Sequence, residues 1–422
     1  VKRHALVLFA ILLTVAAGLS ASSVGARSAS PTQVVLWHGY VDYEAKALNA
    51  AVATYNKTHP SVHVTAQFYG NADYALQKVL TAIAGGKYPD IAYLYGSWAA
   101  NIAKSSKTLD LTQRVKEPSF NYSDIWPAAR LAGQVNGKVI GVPALIDNLT
   151  LVYNKKLFRQ AGVPFPTAKW TWTDLERAAK KLTNLSKKQF GWAYVNDASE
   201  DTVWRYEALL WQAGGDILTP DGKKAAFDSP AGVKALTLLQ TMAVKDRSVY
   251  LDSGNDNYAN LFNSGHIAML STGPWDLGSF PNVDYGVQIL PGDKNHQTIS
   301  GPDNWVLFNN GAQRANAAWN FMKWFLSTKE HLSFALATGD LPLRKSELTQ
   351  PAYKTFVKKY KGIGTFVANL ANAKKARPTT VNYPRISEAI GQAVQSVLLG
   401  KAQPQAALDE AAGKVDSILR TP

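Results

Sequence analysis

The sequence predicts an α/β fold, in which sheets are crossed over by helices. Three observations point to it. Between residues 34 and 94, short apolar strands alternate with segments of helical period. Across 422 residues, 46% are hydrophobic and 18% charged, which excludes disorder as the main state and allows a large core. There is no cysteine. Disulfides, thiolate metal sites, a cysteine nucleophile and a lipidated cysteine are therefore excluded.

The elements follow in order. Lys2 and Arg3 precede an apolar run over residues 5–19, and Val24-Gly25-Ala26 fits a small-residue cleavage site. Residues 1–26 read as a secretory signal peptide cut after Ala26. The alternative, a retained anchor, would need the ~20 apolar residues of a spanning helix. Val34 to Trp37 is a buried strand. Leu48, Val52 and Tyr55 mark a helix over residues 44–56, stopped by Pro60. Val62, Val64, Ala66 and Phe68 alternate as a strand. Leu76, Val79, Leu80 and Ile83 line a helix closed by Gly85-Gly86, and Ile91 to Leu94 is the next strand.

The middle of the chain continues the alternation. Gly141-Val142-Pro143 closes a short strand, and residues 149–153 form an extended apolar run. Thr173 and Glu176 have capping-box spacing, so a helix is expected to run from there to about Lys181. Residues 191–195 read as a strand, and residues 202–211 and 231–244 as helices. Strands return at residues 267–270, 285–290 and 305–308. Helices follow at residues 315–326, around Ile386 to Val397, and at residues 405–419.

The net charge is +14, distributed in lysine doublets such as Lys155-Lys156, Lys180-Lys181 and Lys374-Lys375. No long basic run forms, so a solvated surface is expected and no nucleic-acid partner. No phosphate loop, dinucleotide fingerprint, serine elbow or H-E-x-x-H motif occurs. His59 and His63 have a metal-like spacing, but Pro60 between them prevents the helix that would pair them. No metal or cofactor is expected. The pattern points to binding more than to catalysis.

Four stretches identify a family. They are KYPDI (87–91), GKVIGVPALIDNLTLVYNKKLFRQAGVPFPTAKWTWTDL (137–175), YANLFNSGHIAMLSTGPWDL (258–277) and ILPGDKNHQTISGPDNWVLFNNGAQRANAAWNFMKWFLSTKEHLSFALATGDLPLRKS (289–346). Their content and order resemble the family 1 extracellular solute-binding proteins of bacterial ABC importers, the maltose-binding-protein-like group. The resemblance covers the whole chain after the signal segment.

This resemblance implies a two-lobe periplasmic-binding-protein fold of type II. Each lobe would be a mixed sheet flanked by helices, with three hinge crossings near residues 144–149, 298–303 and 341–346. The first lobe would combine residues 31–143 with 301–340, and the second 149–297 with 347–422. The lobes would close on a mono- or oligosaccharide and deliver it to ABC permease subunits, the protein acting as a monomer. The absence of a cysteine near residues 19–22 implies a freely diffusing periplasmic or extracellular protein.

A sugar has an apolar face that stacks on aromatic rings and a hydroxyl rim that needs paired polar groups. By the resemblance, Trp275 in GPW is the stacking residue and Asp147, after GVPALI, an acidic sugar ligand or a hinge hydrogen bond. Asp303 and Trp305 fall at the second crossing, and Trp204 on a helix facing the cleft or in plain core. Tyr40 and Tyr95 follow strand ends of the first lobe, where α/β ligand sites lie. His38 shares that loop as ligand contact or turn residue. Arg344 in LPLR grips ligand or forms a salt bridge. Trp172, Trp319 and Trp324 read as packing.

Two other readings stay open. A binder of glycerol 3-phosphate or another polyol phosphate would need a cationic cleft, and Gly96 after Tyr95 departs from the Glu of such binders. A secreted glycoside hydrolase would need two carboxylates ~5–10 Å apart across the cleft.

Overall fold

The structure is a computed structural model and describes residues 30–70, 75–254 and 257–420. The secretory segment read at residues 1–26 lies outside the described residues. Among the described residues, no helix is long and apolar enough to cross a membrane.

The strands, in chain order, are β1 (Thr32–His38), β2 (Val62–Phe68), β3 (Ile91–Tyr95), β4 (Gln134–Val135), β5 (Lys138–Val139), β6 (Gly141–Leu145), β7 (Thr150–Asn154), β8 (Trp192–Val195), β9 (Val249–Asp252), β10 (Met269–Thr272), β11 (Tyr285–Gln288) and β12 (Asp303–Leu307). They build two five-stranded sheets and a small hairpin of β4 and β5. The first sheet has the order β2-β1-β3-β12-β6, the second β11-β7-β10-β8-β9. Each is mixed. In the first, β1 runs parallel to β2 and β3, while β12 is antiparallel to β3 and β6. In the second, β7 is antiparallel to β10 and β11, and β8 is parallel to β10 and β9.

Burial explains why these segments are strands. β6, β7, β8 and β12 are buried at every position, as expected for short apolar runs covered on both faces. Within β12, Trp305 stacks on Phe325 at 4.5 Å and on Phe321 at 5.8 Å, both from the helix Ala312–Phe325. Some bounds differ from the sequence reading. The capping box is Thr171 with Asp174, and the helix spans Trp172–Leu182. Thr173 is thus already inside the first turn, because the Thr171 side chain takes the Asp174 N–H and leaves Trp172 free to bury. Gly141 opens β6 and does not close a strand. The helix expected to reach residue 244 ends its α segment at Gln240 and continues as one π turn over Thr241–Lys245.

The chain passes from the first sheet to the second between β6 and β7, and back between β11 and β12. These two crossings lie side by side. Leu149 donates its N–H to Ile299 at 3.3 Å, and the Thr298 hydroxyl donates to Leu149 at 2.7 Å. The Asn369 amide clamps the same point, donating to Asn148 Oδ1 at 3.0 Å and to the Leu149 carbonyl at 2.9 Å. A third strand of chain joins them where Leu341 donates its N–H to Ile146. Beside it, His331 lies between Ala144 and Glu347, with Nε2 3.2 Å from the carbonyl and Nδ1 3.1 Å from the carboxylate.

Apolar packing does not stop at these crossings. Phe356, Tyr360, Ile363 and Phe366 pack in one cluster with Leu341 and Trp305 and with Tyr258, Phe262 and Phe280. A second cluster belongs to the helices around the second sheet, including Tyr383–Leu398 and Pro404–Arg420.

Candidate functional site

Register places the carboxyl ends of both sheets at the crossings. His38 ends β1 and Tyr95 ends β3, and Asp303 pairs with Tyr95 on one side and Leu145 on the other. In the second sheet, Thr272 at the end of β10 pairs with Thr150 at the start of β7, just past the crossing. β8 and β9 run parallel to β10, so they end on the same side. Loops after strand ends are the usual ligand positions of open α/β sheets. Here two such rims meet.

The first rim holds His38, Tyr40, Tyr95 and Asp303. His38 stacks on Tyr40 at 5.8 Å and is buried, which lowers its pKa and keeps the ring neutral. Tyr40 packs edge-on against Tyr93 at 4.9 Å. Tyr95 lies 4.5 Å from Trp98. Asp303 is buried beside Tyr93, and burial followed by the nearby Asp147 charge pushes its carboxyl well above the usual range.

The second rim holds Trp275 and Trp204. Trp275 follows β10 in a Gly-Pro-Trp turn, and Gly273 has no room for a side chain, since a Cβ would sit 1.9 Å from the indole. Trp204 comes from the helix Glu200–Gln212, capped by Ser199. The two indoles lie 5.8 Å apart at 38°.

Asp147 joins the rims. Its Oδ1 accepts the Gly301 N–H at 2.7 Å, linking the first crossing to the second. A Cβ at Gly301 would come within 3.2 Å of both Asp147 Oδ1 and the Trp204 ring, a tight contact that those side chains would have to yield to. Burial pushes the Asp147 carboxyl up to about 7, against the lowering effects of Gly301 and Arg377. The crevice beside this cluster is lined by Gly96, Ala132, Ser300, Pro302, Lys375 and Arg377, and leaves roughly the room of one water molecule.

Two expected residues are placed in packing. Trp305 is 0% exposed and stacks on Phe321 and Phe325, because β12 is an inner strand buried at every position. The Arg344 guanidinium donates to the carbonyls of Leu326 and Asn121, pairs with Asp124 at 3.8 Å and lies over Phe120 at 5.0 Å. It straps the third crossing to the first sheet's surroundings. Trp172 and Trp319 are buried as read, with indole N–H groups donating to Gln212 and Glu117.

Sequence reasoning missed Tyr43, Ser300, Asp340 and Arg377. Arg377 lies in a stretch without regular secondary structure, and its charge reaches Asp147 and Asp303. It pairs with Glu200 at 2.6 Å, and Tyr383 holds Glu200 at 2.9 Å and Glu207 at 3.1 Å. No periodicity marks such a residue, and its partners lie far away in sequence.

Two α/β sheets whose rims meet where the chain crosses between them, with indoles and carboxyl groups at the seam, fit the class of two-lobe solute-binding proteins. Residues 42–331 match the family described as bacterial extracellular solute-binding protein, and the chain belongs to it. The family serves ABC importers outside the cytoplasm, and its members are binding proteins. A cyclic α-maltosyl-1,6-maltose binding protein from Arthrobacter globiformis is 29% identical with a TM-score of 0.79, covering 93% of this chain and 100% of its own. An ABC transporter solute-binding protein from Thermotoga lettingae, bound with α-D-tagatose, is 28% identical with a TM-score of 0.81, covering 92% and 100%. The sn-glycerol-3-phosphate-binding periplasmic protein of Pectobacterium atrosepticum is 24% identical over 435 residues, 96% of each chain. These neighbours share the two-lobe architecture or the family, and this chain has the same mixed α/β layout.

Proposed function

We propose that the protein captures a mono- or oligosaccharide between its rims, releases it unaltered to an ABC permease and works as a monomer. The observation that carries this reading is the meeting of Trp204 and Trp275 with Asp147 and Asp303 at the facing strand ends. Indole faces suit the C–H face of a sugar, and carboxyl groups suit its hydroxyls. His38, Tyr40 and Tyr95 complete the first rim, and Arg377 and Ser300 border the crevice. The sugar named for the Arthrobacter relative and the ketose named for the Thermotoga structure support the same solute class.

The lobes in this reading are residues 31–143 with 301–340, and 149–297 with 347–422. Residues 144–149, 298–303 and 341–346 are the hinge. Secretion proceeds through cleavage after Ala26. Calorimetric titration with sugars of increasing length, beside glycerol 3-phosphate, tests the reading. Sugar binding at one site per chain supports it, and sugar turnover or a silent titration with every sugar defeats it.

The second reading, a polyol phosphate, is supported by the Pectobacterium relative and by Arg377 at the crevice. It is weakened by the ion pair of Arg377 with Glu200. Tight binding of glycerol 3-phosphate in the same titration would establish it.

A further inference from the structure

We propose that the solute sends one uncharged hydroxyl into the crevice between Ser97 and Ser300, and that these two serines select for it. The proposal deepens the carbohydrate reading and rests on it. Ser97 sits in the turn Gly96–Trp98 that follows β3, and Ser300 on the crossing between β11 and β12. Both residues line the same crevice. Backbone holds the two segments together, the Gly96 N–H donating to the Pro302 carbonyl at 3.1 Å. Only a residue without a side chain allows that approach: a Cβ on Gly96 would lie 2.9 Å from the same oxygen and 2.7 Å from the Ala132 methyl. Trp204 stands next to this point, since a Cβ on Gly301, the residue after Ser300, would come within 3.2 Å of its ring.

Ser97 is 1% exposed and Ser300 5%, yet neither hydroxyl is hydrogen-bonded within the protein. Polar side chains buried this far are normally paired. Two open hydroxyls on one crevice therefore mark a place for an outside group. The Trp204 indole N–H beside them is also buried and unpaired. The charged side chains on the crevice walls are Lys375 and Arg377, and both are already matched. Arg377 pairs with Glu200 at 2.6 Å, and Lys375 with Asp216 at 2.7 Å.

Size and chemistry choose the group. The crevice leaves roughly the room of one water molecule, which suits a single hydroxyl oxygen and is too small for a phosphate or a carboxylate. An ammonium only donates, and it would face two cations. A hydroxyl donates and accepts, as a serine does, so one solute oxygen can accept from one serine and donate to the other. The sugar ring that carries it then lies on the Trp204 side of the crevice. A site built to hydrogen-bond a solute hydroxyl rejects the analogue lacking it, because the buried groups are left unpaired.

The purified protein is titrated calorimetrically with D-glucose, D-galactose, D-mannose and maltose, then with the monodeoxy analogues of each sugar that binds, and with glycerol 3-phosphate as the anionic probe. Loss of one particular hydroxyl is expected to cost roughly tenfold or more in affinity, and loss of the others less. In the double variant Ser97→Ala/Ser300→Ala, that penalty is expected to shrink towards parity. The double variant is also expected to melt no lower than the parent, because neither hydroxyl holds the fold. A marked fall in its melting temperature would make the serines structural and overturn the inference. So would a deoxy penalty that is absent in the parent or unchanged in the double variant, which means a crevice that holds water only. Each of these leaves the carbohydrate reading standing. A silent titration with every sugar, whether or not glycerol 3-phosphate binds, overturns both.

Discussion

The Tyr43 hydroxyl donates a hydrogen bond of 2.7 Å to the backbone carbonyl of Trp275. Tyr43 belongs to the helix that follows β1, and Trp275 to the turn that follows β10, so this bond crosses from one rim to the other. Asn101 makes a second crossing bond, donating to the Val381 carbonyl at 2.7 Å. These two bonds tie the rims to each other in the described form. Tyr43→Phe is expected to keep the fold and loosen closure by about 0.5–1 kcal/mol, since an exposed hydrogen bond is worth little net. Small-angle scattering should show a larger mean radius without solute, and affinity should fall two- to fivefold, roughly. An unchanged radius would remove Tyr43 as a latch.

Trp275 is expected to supply stacking area. Trp275→Ala should weaken solute binding by about 1–3 kcal/mol. Gly273→Ala tests the same contact without deleting it. The new Cβ would meet the indole ring, and Gly273 has an ordinary negative φ, so the ring must turn while the backbone stays. Affinity should drop with little loss in melting temperature. Equal affinity in both variants would take Trp275 out of the site.

Asp147 makes stability depend on pH. Burial raises its folded pKa to about 7, above the ~3.9 of an unfolded Asp. The folded protein therefore keeps a proton that the unfolded chain releases between those values. The contribution is fully present below about pH 4 and is lost as pH rises to 7, and it amounts to roughly 4 kcal/mol at most. Asp340, raised to about 6 by burial, adds a loss in the same direction. Asp147→Asn cannot ionise and can still accept from Gly301. Denaturant titrations should find it more stable than the parent at pH 7.5 and nearly equal to it at pH 4.5. The opposite order would mean that Asp147 is ionised without cost in the folded protein.

Asn369 fastens the crossing between β6 and β7 with two buried hydrogen bonds. Asn369→Ala leaves Asn148 Oδ1 short of this donor, while the Leu149 carbonyl keeps the Thr298 hydroxyl. A loss of about 1–3 kcal/mol is expected from urea unfolding, the cost of the one buried group left unpaired. A loss below 0.5 kcal/mol, roughly the surface-substitution level, would show that the clamp is slack.

The alternation of apolar runs and helical faces was enough to read an α/β chain, because each period is a local property. The helix Asp42–Thr58 and the strands β2 and β3 were legible in this way. The family was legible because GVP, the YNK block and GPW are long enough to be specific. Most of the candidate site was legible only through that resemblance, and the capping box at Thr171 was read two residues late because T-W-T-D-L-E offers each of two threonines an acid three residues on.

Sequence alone determined where backbone could be strand, helix or turn, and which large side chains could not stay in water. Tertiary structure decided what they face. Trp275 and Trp305 are the same residue type near predicted crossings, yet one follows a strand end at the rim and the other is sealed inside a five-stranded sheet. Arg344 and Arg377 differ likewise: one straps the chain near Asp124, the other stands at the seam beside Glu200. The physical reason is that burial and charge pairing depend on partners brought from far along the chain, and strand order and register, not local period, choose those partners.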